Sequence, residues 1–519
     1  VPTGKDSLSM KQKYKDGDVI SPGTVIISAA GNCDDITKVV EPVLQKDGGD
    51  IFYINLSQDT YKLGGSSFAQ IRNKIGNEAP TVADSVYVKT VFNTMQNAIR
   101  KGLILAGHDV ASGGLITTLL EMCFADIDLG ATFDLSSLSE VDSIKLLFAE
   151  NAGIVFQIKD DSVIDLFEAE NVKPIKIGSV IPESTLTIKN GGMELGLNVS
   201  SLRDTWYKTS YLLDDKQTAN NLAEDRFNNY KNQPLQYVFP KNFKGVIAST
   251  AKQSPENKEI TSSLTPRNDR PKAAILREKG SNSEREMANA MYLAGFDVKD
   301  VHMTDLIAGR ETLEDIQFIG AVGGFSNSDV LGSAKGWAGA FKYNEKANTA
   351  LKNFFARPDT LSVGICNGCQ LFMELDLINP EHDSHGRMTY NDSHKHESNF
   401  TSVKIQENNS VMLSSMAGTT LGVWISHGEG KFSLPNSENS YDIVAKYGYE
   451  GYPANPNGSD FNTAMLCDKT GRHLVTMPHI ERSIFPWNWA HYPSDSNNEV
   501  YPLIEAFVNA RIWVVNHKK

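Results

Sequence analysis

The sequence predicts an α/β protein in two parts. Over residues 1–195, short apolar runs with strand character alternate with helical stretches. Residues 240–270 are rich in Lys, Ser, Thr, Asn and Pro with few large apolar groups, which predicts a linker. After the linker, the apolar run 272–277 (KAAILR) predicts the first strand of a doubly wound domain that fills residues 271–519.

The individual elements follow from local patterning. The run 23–28 (GTVIIS) predicts a strand, and residues 87–102 predict a helix. Residues 196–239 are rich in Asn, Gln, Asp and aromatic side chains, and predict a helical connecting segment between the two domains.

Composition narrows the class of protein. The 519 residues carry a net charge of −13, and no block of five Lys or Arg occurs, so we expect no nucleic-acid partner. No run approaches the roughly 18 to 20 apolar residues of a membrane span, so we expect no membrane partner. Five cysteines are too few for a disulfide scaffold of this length, which indicates a reducing compartment and a cytoplasmic location.

The segment 361–370 (LSVGICNGCQ) predicts a nucleophile. An apolar strand ends at Gly364, a thiol follows at Cys366, and a helix begins after Gly368. The two glycines permit a sharp turn that exposes Cys366 at the strand end, and the helix start directs amide groups towards it. We expect this thiol to ionise more readily than a free cysteine.

A base and its carboxylate follow about a hundred residues later. The apolar run 473–477 is stopped by Pro478, and we expect extended chain beyond it, with His479 and Glu481 on the same side. Cys366, His479 and Glu481 supply a nucleophile, a base and an orienting acid. Taken alone, His479 and Glu481 are more simply explained as a solvated pair.

A glycine turn completes this set. Residues 316–324 predict a strand that ends in Gly323 and Gly324, whose amides can point into a cleft. Together with the amide of Asn367, they are candidates for an oxyanion hole.

The pair of cysteines permits two other interpretations. Cys366 and Cys369 form a Cys-x-x-Cys sequence, which occurs in redox pairs and in zinc sites. Zinc needs two further ligands, and the candidate histidines lie in polar segments with loop character, namely His382, His385, His394 and His396.

The motifs together resemble a known family. Gly-x-Cys-x-Gly-x-Gln followed by His-x-Glu resembles the class I glutamine amidotransferase pattern, which implies a glutamine-binding role for Gln370 beside Gly323, Gly324 and Asn367. Residues 271–519 resemble the glutaminase domain of the large, single-chain phosphoribosylformylglycinamidine synthases. The segments that carry this resemblance are 274–278, 286–288, 294–296, 300–306, 329–332, 335–338, 366–370, 427–430 and 455–459.

The first part resembles the second synthetase half of the same family, an aminoimidazole-ribonucleotide-synthetase-like α/β domain. The segments concerned are 4–7 (GKDS), 63–67 (LGGSS), 106–115 (AGHDVASGGL) and 148–150 (FAE). The resemblance implies ATP and magnesium as cofactors, with Lys5 and Asp6 near the nucleotide.

Around Asp109, the residues themselves support this assignment. A helix opens at Gly113 and Gly114, and a phosphate with its cation can sit at such a helix start. Asp109 precedes it and is a candidate magnesium ligand, although without the resemblance an aspartate there is more simply explained as a helix cap or a solvated loop acid.

The chain departs from the family pattern at two places. Ala111 and Ser112 stand where many relatives have Ser and Asp, so at Ala111 we expect no side-chain contact to phosphate, while a backbone contact stays open. The segment 326–329 (SNSD) replaces a more usual Ser-Tyr-Gly-Asp beside the predicted oxyanion turn.

The resemblance implies conversion of formylglycinamide ribonucleotide to the amidine with ATP and glutamine, which makes these three small molecules the expected partners. The motif at 4–7 lies deep in the family's chain, so we expect a C-terminal fragment whose synthetase site needs a missing N-terminal portion. Two alternatives stay open, an amidotransferase that serves another ligase and an inactive or regulatory nucleotide-binding fragment.

Overall fold

The computed structural model describes residues 3–7, 11–20, 24–46, 48–125, 128–232, 236–241, 243, 270–490 and 498–517. The chain divides into two compact units, Val1–Asp204 and Thr205–Lys519. This division falls within the predicted connecting segment, residues 196–239, and the predicted linker lies almost wholly outside the described residues. The domain limits expected from the sequence therefore stay predictions.

The first unit is built from strands and helices in alternation. Its described strands are β1 (Thr3–Ser7), β2 (Lys11–Tyr14), β3 (Gly17–Ile20), β4 (Thr24–Ser28), β5 (Ile51–Asn55), β6 (Ile104–Asp109), β7 (Gly130–Asp134), β8 (Gly153–Ile158), β9 (Ile175–Ile181), β10 (Thr185–Asn190) and β11 (Met193–Asn198). Its described helices are α1 (Ser67–Ile71), α2 (Ser85–Arg100), α3 (Gly114–Phe124), α4 (Ser143–Phe148) and α5 (Ser162–Glu168), and α6 (Val199–Asp214) crosses the boundary between the units.

A seven-stranded mixed sheet forms the centre of this unit, in the order β11-β10-β7-β9-β5-β8-β6. β7 and β10 run parallel, and the other neighbours are antiparallel. Because side chains alternate along a strand, β5 sends Ile51 and Tyr53 into one core and Phe52 and Ile54 into another. Both faces of the sheet are therefore covered.

The predicted apolar face of α3 is confirmed. Leu115, Thr118, Leu119 and Met122 are all buried, as their spacing along a helix requires. This face anchors the helix start, which holds Gly113 and Gly114, against the sheet.

The second unit contains one large sheet with helices against it. Its described strands are β12 (Lys272–Arg277), β13 (Asp297–His302), β14 (Phe318–Ala321), β15 (Leu361–Ile365), β16 (Arg387–Thr389), β17 (Glu397–Ile405), β18 (Thr420–His427), β19 (Lys431–Ser433), β20 (Asp442–Tyr447), β21 (Thr463–Cys467) and β22 (His473–Thr476). Its described helices after α6 are α7 (Leu222–Asn229), α8 (Glu284–Ala294), α9 (Met303–Ala308), α10 (Lys335–Lys342), α11 (Glu345–Ala356), α12 (Asn367–Glu374) and α13 (Ile504–His517).

The strand order is β13-β12-β14-β15-β22-β21-β20-β17-β18. The first five strands are parallel, as a doubly wound domain requires, and the last four extend the sheet in antiparallel fashion. β14, β15 and β22 are buried at every position, which is typical of parallel strands covered on both faces. Their carboxyl ends lie side by side, with Gly364 opposite both Ala321 and Val475.

A cluster of charges fixes α6 and α7 to the start of β17. Arg226 donates from Nη1 to Asp214 at 2.7 Å and from Nη2 to Glu397 at 2.6 Å. Lys395 pairs with the same Asp214, and the Tyr452 hydroxyl donates to Glu397 at 2.9 Å. The Glu397 side chain is only 3% exposed, so each charge in this cluster depends on its partners.

We expect Glu397→Ala to lower the free energy of unfolding of the second unit by about 3 kcal/mol, because it leaves Arg226 with one carboxylate in a desolvated place. Asp300→Ala is the matched control, since Asp300 pairs with Arg277 at the surface and its loss should cost under about 1 kcal/mol. Urea unfolding of both variants measures the difference, and equal losses would contradict the buried role of Glu397.

Candidate active site

Cys366 lies at the turn between β15 and α12 in a strained backbone conformation. Its φ of 52° and ψ of −107° are unusual for a residue with a side chain. A Cβ at Gly364 would lie 2.5 Å from the Gly368 carbonyl oxygen, and one at Gly368 would lie 2.1 Å from the Ala321 carbonyl oxygen. Only glycine fits at either position, which confirms the predicted elbow.

The two thiols of this segment differ in their surroundings. Cys366 is 5% exposed, and its Sγ lies 3.8 Å from the carbonyl oxygen of Ser426. Cys369 lies within α12 and is fully buried, which raises its thiol pKa well above the usual value. Cys369 therefore stays protonated, and it is a poor nucleophile in this position.

His479 and Glu481 form a buried pair next to Cys366. The Nδ1 of His479 lies 2.7 Å from Oε1 of Glu481, and both side chains are almost fully buried. The expected extended backbone is wrong, because residues Ile480–Arg482 form a single turn of 3-10 helix that folds Glu481 back onto the imidazole. The alternative of a solvated pair does not agree with this burial.

The electrostatic interaction between His479 and Glu481 favours the state in which both side chains are charged. Burial alone lowers the pKa of His479, but the Glu481 carboxylate and the hydrogen bond with Cys366 raise it to about 10. Burial alone raises the pKa of Glu481, but the neighbouring imidazolium outweighs it and lowers that pKa. Their mutual stabilisation keeps His479 protonated and Glu481 ionised, which is the arrangement expected once the imidazole has accepted a proton and the carboxylate orients it.

The predicted oxyanion turn lies beside these residues. A Cβ on Gly323 would lie 3.3 Å from the Cβ of Cys366 and 2.9 Å from Cε1 of His479. The Gly323 amide makes a long contact of 3.4 Å to Oγ of Ser283, and Gly324 has a φ of 111°. The turn is thus brought next to Cys366, and its role as an oxyanion hole stays a prediction.

Asn367 and Gln370 connect α12 to the surrounding loops. Oδ1 of Asn367 accepts from the Ser326 amide at 3.1 Å, and its Nδ2 donates to Oε1 of Gln370 at 2.7 Å. Gln370 in turn donates from Nε2 to the Glu429 carbonyl at 2.7 Å. Sequence reasoning placed Asn367 and Gln370 at the site, but it assigned no role to Glu429 or to Asp329, which binds Asn367.

A cavity of about 510 Å³ adjoins His479 and Glu481. Trp424, Phe485 and Trp487 form aromatic walls, and Arg482 supplies a charge. The second carboxylate oxygen of Glu481, Oε2, has no hydrogen-bond partner among the described residues. His479 and Glu481 therefore contribute to the lining of this cavity, although their side chains are almost fully buried.

The residues predicted to hold a nucleotide belong to the first unit. Lys5 and Asp6 lie in β1, where the structure describes only their backbone. Asp109 ends β6 with its side chain 78% exposed, 3.3 Å from Nδ1 of His108. The amide of Gly113 donates to Oε1 of Glu150 at 2.8 Å, and that of Gly114 donates to the Ala111 carbonyl at 3.0 Å. The nucleotide and metal roles stay predictions.

Among the residues that the structure describes, no group of three or more His, Cys, Asp or Glu side chains is arranged to hold a metal ion. The placement of the described side chains therefore gives no support to a zinc site at Cys366 and Cys369. Within the same described ranges, no helix has both the length and the apolar character needed to cross a bilayer.

Fold and site define a glutamine amidotransferase unit that follows a synthetase-type unit. Residues 270–514 match the CobB/CobQ-like glutamine amidotransferase domain, and residues 49–189 match the C-terminal domain of AIR synthase related proteins.

Curated relatives narrow this class to one family. A probable phosphoribosylformylglycinamidine synthase from Arabidopsis thaliana is 38% identical over 98% of this chain and 37% of its own length. The Homo sapiens phosphoribosylformylglycinamidine synthase is 35% identical over 99% of this chain and 40% of its own length. The chain belongs to the phosphoribosylformylglycinamidine synthase family, and it spans about two fifths of the length of these relatives.

We expect a chloroketone analogue of glutamine to alkylate Cys366 and not Cys369, because burial keeps the Cys369 thiol protonated. Peptide mass spectrometry locates the adduct. Cys369→Ala is the matched control and should still be labelled, whereas labelling that survives Cys366→Ala would overturn the assignment.

Gly323→Ala should lower the rate of glutamine hydrolysis by about 100-fold, since a displacement of about 1 Å in a reacting group costs that much. The added methyl meets His479 at 2.9 Å and Cys366 at 3.3 Å. Gly339→Ala in α10 meets only ordinary contacts with Tyr343, and it should leave the rate unchanged. Similar rates for the two variants would show that Gly323 does not support the triad.

The stabilising effect of the buried pair should depend on pH. Because the pKa of Glu481 is lowered, its contribution is present above the ordinary value of 4.5 and is lost as pH falls. Because the pKa of His479 is raised, its contribution is present below 6.5 and is lost as pH rises towards about 10.

Glu481→Gln should therefore cost the most free energy of unfolding between pH 4.5 and 6.5, and progressively less as pH rises from 6.5 to about 10. Urea unfolding across this range measures the difference from the parent protein. For Glu407→Gln at the exposed surface, the difference in free energy of unfolding from the parent protein should not change with pH. A cost of Glu481→Gln that grows above pH 6.5 would contradict the pairing of His479 with Glu481.

Proposed function

We propose that this chain supplies the glutaminase and part of the synthetase of a phosphoribosylformylglycinamidine synthase. The complete enzyme uses ATP and glutamine to convert formylglycinamide ribonucleotide to formylglycinamidine ribonucleotide in de novo purine biosynthesis. The observation that supports this most directly is the buried 2.7 Å contact of His479 with Glu481, next to the strained Cys366.

In the glutaminase, the proton of the Cys366 thiol lies on His479, and the resulting thiolate attacks the carboxamide carbon of glutamine. The amide of Asn367 and the Gly323 turn stabilise the oxygen that becomes negative. The imidazolium then gives its proton to the departing nitrogen, and ammonia leaves a γ-glutamyl thioester on Cys366. Water, deprotonated by His479, hydrolyses the thioester to glutamate and restores the thiol.

For the first unit, the proposal rests on the family. When bound, ATP supplies the phosphoryl group that activates the amide oxygen of the substrate, and ammonia displaces phosphate. The exposed carboxylate of Asp109 suits magnesium, which prefers oxygen ligands and binds through one or two carboxylates. The amides of Gly113 and Gly114 are bonded within the fold and do not fit a phosphate as they stand, so we derive no step through them.

The proposal also covers the remainder of the synthetase site and the location of the protein. The curated relatives are more than twice as long as this chain, so we place the rest of the synthetase site in the part of the polypeptide that they share beyond it. A cytoplasmic location is proposed from the cysteine content, although the Arabidopsis relative carries the words chloroplastic/mitochondrial in its name.

An amidotransferase that serves another ligase is the second candidate function. It is favoured because the three residues Cys366, His479 and Glu481 do not themselves specify the acceptor of the ammonia.

We expect the chain by itself to hydrolyse glutamine slowly and to form no amidine, even with ammonium supplied directly, because most of the acceptor site lies in the rest of the polypeptide. Formylglycinamide ribonucleotide, ATP, magnesium and ammonium are incubated with the chain, and phosphate release is measured together with amidine. The full-length enzyme is the positive control. Robust amidine formation by the chain would contradict the division of the synthetase site.

A further inference from the structure

Arg482 closes the short turn that carries Glu481. It is the last residue of the 3-10 turn Ile480–Arg482, and its amide donates to the His479 carbonyl at 3.4 Å. Its side chain is 27% exposed and lines the same cavity as His479 and Glu481. The steps of glutamine hydrolysis do not involve this guanidinium directly, so its place beside the carboxylate needs another explanation.

The guanidinium places a positive charge next to a buried acid. Nε of Arg482 lies 4.0 Å from Oε1 of Glu481, the same oxygen that lies 2.7 Å from Nδ1 of His479. The longer distance excludes a hydrogen bond, but salt and water screen the charges little because Glu481 is almost fully buried. The other oxygen, Oε2, has no hydrogen-bond partner among the described residues. Arg482 therefore joins His479 in stabilising the ionised carboxylate.

The pKa of Glu481 reflects this arrangement. Burial raises this pKa, and the charges of His479 and then of Arg482 lower it. The titratable and charged groups around the pair are His479 and Arg482 on the same turn, Glu286 on α8, Cys366 at the elbow and His427 at the end of β18. Burial lowers the pKa of His427 to about 3, so that imidazole stays neutral, while Glu286 lies 3.5 Å from Nε of Arg482 and shares its charge. Removal of Arg482 would therefore raise the pKa of Glu481 while the contact with His479 remains.

The other end of the guanidinium reaches the segment that pairs with the glycine turn. Nη2 of Arg482 donates to Oδ1 of Asn282 at 2.9 Å. The Asn282 amide in turn donates to the Gly323 carbonyl at 2.8 Å, and Ser281 pairs with Gly324 in an antiparallel bridge. A Cβ on Gly324 would lie 2.5 Å from the Asn282 amide nitrogen, so the two segments are in very close contact. A single residue thus separates the guanidinium from the glycine turn.

We propose that Arg482 is a positioning residue of the glutaminase. Its charge holds Glu481 ionised, and its hydrogen bond to Asn282 holds the glycine turn in place relative to that acid. The inference rests on the proposed glutaminase function and deepens it. His479 needs the carboxylate for its orientation and for its positive charge, and the amides of the turn need a fixed position to stabilise the developing oxyanion. Both conditions depend on the same guanidinium.

Arg482→Met and Arg482→Lys separate the charge from the hydrogen bond. Glutamine hydrolysis by the full-length enzyme is measured as kcat and KM across a range of pH. We expect Arg482→Met to lower kcat about 10-fold with little change in KM, because the lost interactions act on the reacting groups and not on bound substrate. The acidic limb of its pH profile should move to higher pH, since a carboxylate without a neighbouring cation takes up its proton at higher pH. Arg482→Lys should keep the parental limb, because the charge is retained.

Asn282→Ala tests the connection to the glycine turn. Asn282 is exposed, and the change removes the acceptor of Nη2 while the charge of Arg482 stays in place. We therefore expect kcat to fall about 5-fold with the acidic limb unmoved. In the Arg482→Met protein the same change should have no further effect, because the hydrogen bond is already lost. Arg310→Met is the matched control, since Arg310 pairs with Asp305 and is 62% exposed, and it should keep the parental kcat and pH profile.

A parental kcat with an unmoved acidic limb in Arg482→Met would overturn the inference. Equal losses of kcat in Arg482→Met and Arg482→Lys, with the limb unmoved in both, would also overturn it, because that result describes a purely structural role. Additive losses for Asn282→Ala and Arg482→Met would show that the two side chains act independently, and would equally contradict the connection to the glycine turn.

A measurement without glutamine distinguishes failure of this inference from failure of the glutaminase proposal. Alkylation of Cys366 by iodoacetamide is followed against pH in the full-length parent and in Arg482→Met, with peptide mass spectrometry to locate the adduct. Because the rate reports the thiolate that protonated His479 stabilises, its acidic limb should also move to higher pH in the variant, and an unmoved limb would overturn the role of Arg482. Glutamine hydrolysis that persists in Cys366→Ala would contradict the glutaminase mechanism, while the alkylation profile still decides the role of Arg482.

Discussion

The close approach of α12 to β14 is the constraint on which the rest of the second unit depends. The helix passes so near the strand that the Gly368 position leaves no space for a side chain against the Ala321 carbonyl. This approach holds Cys366 in its strained turn, and it brings the carboxyl ends of β14, β15 and β22 to one edge. Cys366, the glycine turn and His479 meet there because parallel strands end at the same side of a sheet.

Burial determines the protonation states of the ionisable side chains around Cys366. His479 and Glu481 are removed from water together, so each keeps its charge only through the other. The same burial leaves Cys369 protonated and uninvolved.

Much of the fold and of the candidate site could be predicted from the sequence, because these parts follow from local sequence patterns. The elbow needs two glycines at fixed positions, and β12 and the face of α3 follow from simple periodicity. The turn at Ile480–Arg482 could not be predicted, since its conformation depends on the packing of His479 against β18 through the Trp424 carbonyl. Glu429 and Asp329 were missed because only the folded chain brings an acid after β18 next to the turn before α10.

The central claim is that Cys366 forms a covalent bond with the substrate carbonyl. Full-length enzyme is mixed with glutamine, quenched in acid within the turnover time and digested, and the peptides are weighed. The account predicts a single γ-glutamyl adduct on Cys366, which appears before glutamate and disappears as glutamate accumulates. An adduct on Cys369, or turnover of glutamine with no adduct on either cysteine, would contradict it.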